Sequence, residues 1–139
     1  MIVRYRSKIS GPLMDRIDIH IAVPAVKYRE ISSETCGQKS DSFRERVIRA
    51  SNTQLERLRP HKLYFNAQLS QKQIKKYCVR DDDAEALLES AFRRLGLSAR
   101  AYTRILKVAR TIADLEASDI IRPVHISEAI QYRMLDRAT

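Results

Sequence analysis

The sequence predicts a mainly α protein: a bundle of four or five helices, preceded by one strand and a linker. Three observations predict it. Successive stretches after residue 40 carry apolar residues at helical spacing, most of them opened by a capping residue or closed by proline or glycine. Residues 17–23, Ile-Asp-Ile-His-Ile-Ala-Val, alternate apolar and polar with period two. No other run makes a convincing second strand. A lone strand leaves its own backbone groups unpaired, so its sheet partners are expected elsewhere, and the chain reads as a piece of a longer protein.

Taken in order, Arg4, Arg6 and Lys8 form a basic patch. Ser10 or Gly11 before Pro12 then marks a short helix start, with proline in the first turn. On the strand, Ile17, Ile19, Ile21 and Val23 point one way, Asp18, His20 and Ala22 the other, and Pro24 ends the run. Left uncovered, that alternation is an aggregation liability. Residues 25–39 hold no period and mix Ser, Thr, Gly and charge, which reads as a linker. Ser42-x-x-Glu45 is a capping box, followed by a stripe of Phe43, Val47, Ala50 or Ser51, Leu55 and Leu58 that Pro60 stops. In the loop 61–69, Leu63, Tyr64 and Phe65 are expected to pack on the bundle.

Ser70-x-x-Gln73 caps a short helix with Ile74 and Tyr77 inside and Lys72, Lys75 and Lys76 outside. Asp81, Asp82 and Asp83 suit the positive end of a helix dipole. Behind them Ala84, Leu87, Leu88, Ala91, Phe92 and Leu95 form an apolar face closed by Gly96. Ser98 is the N-cap of a long amphipathic helix reaching to about residue 118. At ~100° per residue, Arg100, Arg104, Lys107 and Arg110 share an arc of roughly 120°, and Tyr102, Ile105, Val108, Ala109, Ile112 and Ala113 face the core. Arg122-Pro123 punctuates, and Val124, Ile126, Ala129, Ile130 and Met134 make a final helix to about Asp136.

Composition bounds the function. A chain of 139 residues, 44% hydrophobic, buries one modest core. It has no apolar run near the ~18 residues of a membrane span and no secretory leader. Cys36 and Cys78 form no metal-ligand spacing with His20, His61 and His125, so no metal site is expected, and free thiols in a reducing cytoplasm are the simpler reading. The net charge of +9 favours polyanionic partners, nucleic acid or nucleotide phosphates. Only three glycines occur, which excludes a GxxxxGK[ST] or GxGxxG phosphate loop in this chain. No self-sufficient catalytic machinery is present: the carboxylates and thiols have bland readings as ion pairs, helix-start charges and buried groups.

Two places stay open on residues alone. Arg16, at the junction of a helix and a strand, either pairs with Asp15 or Asp18 or projects toward a neighbouring surface. The cationic face is either a solvated stripe or a set of fixed charges for phosphate. A third reading makes the bundle a basic nucleic-acid module, with Lys72, Lys75, Lys76, Arg80 and the Arg100 face on phosphates. A pure subunit-contact domain is the fourth.

A resemblance bears on the same residues. The run 5–20, Tyr-Arg-Ser-Lys-Ile-Ser-Gly-Pro-Leu-Met-Asp-Arg-Ile-Asp-Ile-His, is followed by the helix 97–115 and by His125-Ile-Ser-Glu-Ala-Ile-Gln-Tyr-Arg. Together they resemble the C-terminal part of the Mg-chelatase-like AAA+ ATPases, nearest the bacterial competence-associated ComM type. The resemblance implies that residues 1–24 end an AAA+ core, that 25–39 link, and that 40–139 form the helical lid. It implies that Arg16 reaches in trans into the ATP site of the next subunit. It also implies that Arg100, with Arg104 as second choice, is the lid's sensor-2 arginine at the nucleotide, leaving Lys107 and Arg110 as surface or DNA-facing charge. The resemblance implies that the longer protein uses ATP and Mg2+ and assembles as a homo-oligomeric, hexameric ring that remodels DNA. This chain, lacking the phosphate loop and the Mg2+-binding strand, is expected to hydrolyse nothing alone.

Overall fold

The computed structural model describes residues 13, 16–26 and 40–133. The basic patch at Arg4, Arg6 and Lys8, the Ser10–Pro12 helix start, Asp15, Cys36, most of the linker and the segment from Met134 lie outside the described residues. The rest is mainly helical, as expected: α1 (Ser40–Leu58), α2 (Gln71–Tyr77), α3 (Asp82–Leu95), α4 (Ala99–Leu115) and α5 (Pro123–Gln131). Two 3-10 turns, Arg59–His61 and Asn66–Gln68, lie between α1 and α2.

The helix ends follow local chemistry. Ser70 and Gln73 close a capping box on α2, with Gln73 Oε1 accepting from Ser70 N at 2.8 Å. Asp81 caps α3 through Ala84 N at 2.7 Å, and Ser98 caps α4 through Ala101 N at 3.1 Å. Gly96 ends α3 at φ 57°, where a side chain would be strained. Pro123 sits in the first turn of α5, where its missing N–H costs nothing.

α4 is the central helix. Ile105, Leu106, Ala109, Ile112 and Ala113 are buried against Leu58, Leu69, Ile74, Leu88, Ile121 and Ile126 from the surrounding elements. Phe92 meets Tyr102 edge-on at 6.1 Å. Backbone bonds from Ile121 N to Val79 O (2.8 Å) and from Asp81 N to Ile121 O (3.3 Å) clasp the α2–α3 junction to the α4–α5 connection.

Several expectations are corrected. Residues 17–23 form no strand, since no partner strand exists among the described residues; His20 N and Ile17 O bond instead to Tyr132 and Arg133, just beyond α5. His20, on the side away from the isoleucines, is buried, and its backbone N–H donates to Tyr132 O at 2.7 Å. Ser42 lies inside α1, so Ser42 and Glu45 do not open that helix. Of the α1 stripe only Ala50 and Leu58 are buried; Phe43 and Val47 are exposed because the buried positions of α1 all lie in its C-terminal half, and Leu55 is exposed because Gln54 takes the inward place there. In the loop, Leu63 is half-buried but Tyr64 and Phe65 face out, while Asn66 and Leu69 turn in. α4 ends at Leu115 and α5 at Gln131, both short of the periodicity, because left-handed Ala117 and the Arg133 N–H to Ile130 O turn stop them.

Burial pushes the Cys78 thiol from 9.0 up to about 11. That shift leaves about a hundredfold less thiolate at mildly alkaline pH. Iodoacetamide at about pH 8 is therefore expected to spare Cys78 in the native protein and to alkylate it in denaturant. Mass spectrometry of the Cys78 peptide reads this, and rapid native labelling would contradict the buried placement.

Candidate functional site

The first two turns of α4 open onto a groove of about 440 Å³ lined by Asp18, Ala67, Gln71, Ala99, Arg100, Thr103, Arg104 and Lys107. Three cations at positions i, i+4 and i+7 meet here beside a helix N-terminus, a setting that favours anions. Arg100 is exposed at its rim. Lys107 Nζ donates to Ala67 O at 2.8 Å, which fixes it on the far wall. Arg104 Nη1 donates to Arg16 O at 2.8 Å and pairs with the Asp18 carboxylate.

Residues 16–20 thus lie as a strap over the bundle. Arg133 Nη1 donates to Ile17 O at 3.0 Å, adding a second hold from beyond α5. The Arg16 side chain is exposed, with its backbone anchored at the groove edge. The structure therefore brings Arg100, Arg104 and Lys107 to one groove, with the backbone of Arg16 beside it. Lys72, Lys75 and Lys76 are exposed on α2, and Lys75 lines an adjoining groove with Arg80 and Tyr102.

Arg110 does not belong to this face, which corrects its expected surface role. It is 1% exposed. Its Nε donates to Asp114 Oδ1 (3.1 Å), its Nη1 to Asp119 O (2.7 Å) and its Nη2 to Ser118 O. Burial and the Arg57 charge lower its pKa and Asp114 opposes them, and the paired guanidinium stays charged.

The buried carboxylate of Asp114 escaped the sequence reading. Arg57 grips it with two bonds of 3.1 and 2.5 Å, and Asn66 Nδ2 donates to it at 2.8 Å. Asn66 is itself fixed by Gln54 Oε1 on its backbone N–H (3.0 Å) and by Thr111 Oγ1 (3.1 Å). The available signal was Arg110 and Asp114 at i, i+4, with Asp114 interrupting an apolar run.

A second polar cluster ties α4 to α5. Arg122 N donates to His125 Nδ1 at 3.0 Å, so the ring proton sits on Nε2 and donates to Glu116 Oε2 at 2.9 Å. That bond, with Arg122 nearby, holds the Glu116 carboxyl below its ordinary range. Among the described residues no group of three or more His, Cys, Asp or Glu is placed to hold a metal, and no helix is long and apolar enough to cross a membrane.

Comparison with known proteins matches residues 37–133 to the family described as magnesium chelatase, subunit ChlI C-terminal, and residues 1–31 to magnesium chelatase, subunit ChlI. The chain is 40% identical over 136 residues to YifB, an uncharacterized protein of Salmonella typhimurium, covering 97% of this chain. It is 40% identical over 137 residues to the competence protein ComM of Haemophilus influenzae, covering 98%. Identity to the uncharacterized protein Rv2897c of Mycobacterium tuberculosis is 30% over 130 residues, covering 94%. In each case the chain spans 26% of the relative's length. With the ChlI C-terminal region matched across most of its length, the chain belongs to the magnesium-chelatase-like family and is of the ComM type.

Proposed function

We propose that this chain supplies the lid of a ring-forming AAA+ ATPase, with residues 40–139 as the lid, 25–39 as the link and 1–24 as the end of the nucleotide-binding core. The observation that carries the reading is the open groove at the start of α4, where Arg100, Arg104 and Lys107 stand together. Their chemistry fits a nucleotide's phosphate chain: guanidinium groups donate to several oxygens at once and neutralise their charge. Mg2+ would be held by the rest of the longer protein. Arg100 contacts the nucleotide held by the core, and the angle between lid and core follows the nucleotide state.

The motor acts on DNA in this reading. The competence protein among the relatives supports that assignment, as do the net charge of +9 and the exposed Lys72, Lys75 and Lys76. Phosphate contacts of that kind weaken steeply as salt rises.

The deciding experiment is Arg100→Ala in the longer protein. A charge-assisted hydrogen bond is worth about 1.5–3 kcal/mol, so ATP affinity should fall roughly tenfold to a hundredfold in calorimetric titration. An unchanged Kd would remove Arg100 from the nucleotide site.

A further inference from the structure

We infer that Asp18 is a built-in competitor that holds the phosphate-facing end of Arg104 until a polyphosphate displaces it. The inference rests on the groove being a phosphate site. Asp18 lines that groove itself, and its carboxylate pairs with Arg104 Nη1 among the same side chains that a phosphate would meet. Nη1 makes both bonds to the strap, to Asp18 and to Arg16 O, whereas the buried Nε has no hydrogen-bond partner. The guanidinium is therefore committed through one nitrogen, to an anion of its own chain.

A single carboxylate, half exposed to water, binds that nitrogen weakly. A polyphosphate carries several negative charges and can meet Arg100, Arg104 and Lys107 together, so it wins the exchange. When Nη1 turns to phosphate, Arg16 O and Asp18 lose their partner in the same step. The strap then keeps its holds at Ile17 O and His20 N. Occupancy of the groove is in this way transmitted to the backbone of Arg16.

The test is titration of the 139-residue chain with inorganic tripolyphosphate, followed by NMR at ~50 mM salt, where charge contacts are least screened. Asp18→Asn should bind roughly three- to fivefold more tightly than the parent, the worth of one exposed ion pair. Asp83→Asn, which removes the same charge from an exposed position on α3, should bind as the parent does. Placing Asp18→Asn on an Arg104→Ala background should abolish the gain. Parent-like or weaker binding by Asp18→Asn, or a gain that survives Arg104→Ala, overturns the competitor while leaving the groove a phosphate site. Absence of binding by every form overturns the groove reading and the competitor with it.

Discussion

Replacing Arg16 by alanine in the assembled longer protein is expected to lower ATP turnover by ~10³-fold or more while leaving nucleotide affinity within about threefold. The expectation follows from where the charge is needed. Phosphoryl transfer spreads negative charge over the equatorial oxygens in the transition state, and a guanidinium supplied by a neighbouring subunit meets it with fixed geometry. Arg16 is suited to that role because its side chain is exposed while the segment that follows it is held at Ile17 O and His20 N. A group acting only in the transition state changes kcat and leaves ground-state binding nearly alone. Arg16→Lys should rescue little, since an ammonium lacks the planar fork. Phosphate release at saturating ATP, with sedimentation to confirm that rings persist, measures it. Turnover within tenfold of the parent would remove Arg16 from the reaction.

The largest effect on stability is expected at Asp114. Asp114→Ala should destabilise the fold by about 3–5 kcal/mol, because it strands the buried Arg110 guanidinium and takes the anion away from Arg57. Asn66 loses an acceptor in the same step. Against a total of about 5–15 kcal/mol for a domain, such a loss leaves a marginal protein. Asp114→Asn should cost nearly as much, since it keeps the volume and loses the charge that both arginines need. Urea denaturation followed by circular dichroism reads both variants, and a loss under ~1 kcal/mol would show the network to be dispensable.

The helices were legible because their signals are local. Ser70, Asp81, Gly96, Ser98 and Pro123 each act within one turn of chain, and each stands where the sequence places it. That Arg100 and Arg104 share a face was legible for the same reason. Arg110 was misread because a helical wheel has no coordinate along the axis. Arg100 and Arg104 lie on the half of α4 that opens to the groove, while Arg110, further along the same arc, is closed in by Asp114 and the carbonyls of Ser118 and Asp119. Of the Asp114 cluster only the pairing with Arg110 is local; Arg57 and Asn66 come from α1 and the turn before α2 and meet it only after folding. Alternation at 17–23 marked a segment with one apolar side but could not supply the neighbour that a ladder requires.

The exposed first half of α1 also shapes how copies of the chain meet in solution. Phe43, Val47 and Ile48 stand bare there, and Ile17, Ile19, Ile21 and Val23 are bare on the strap and just after it. What keeps such surfaces apart is the net charge of +9, a repulsion that reaches about 10 Å at 0.1 M salt and only about 3 Å at 1 M. Colloidally, the chain is a like-charged particle with adhesive patches. Added salt removes the repulsion and leaves the adhesion.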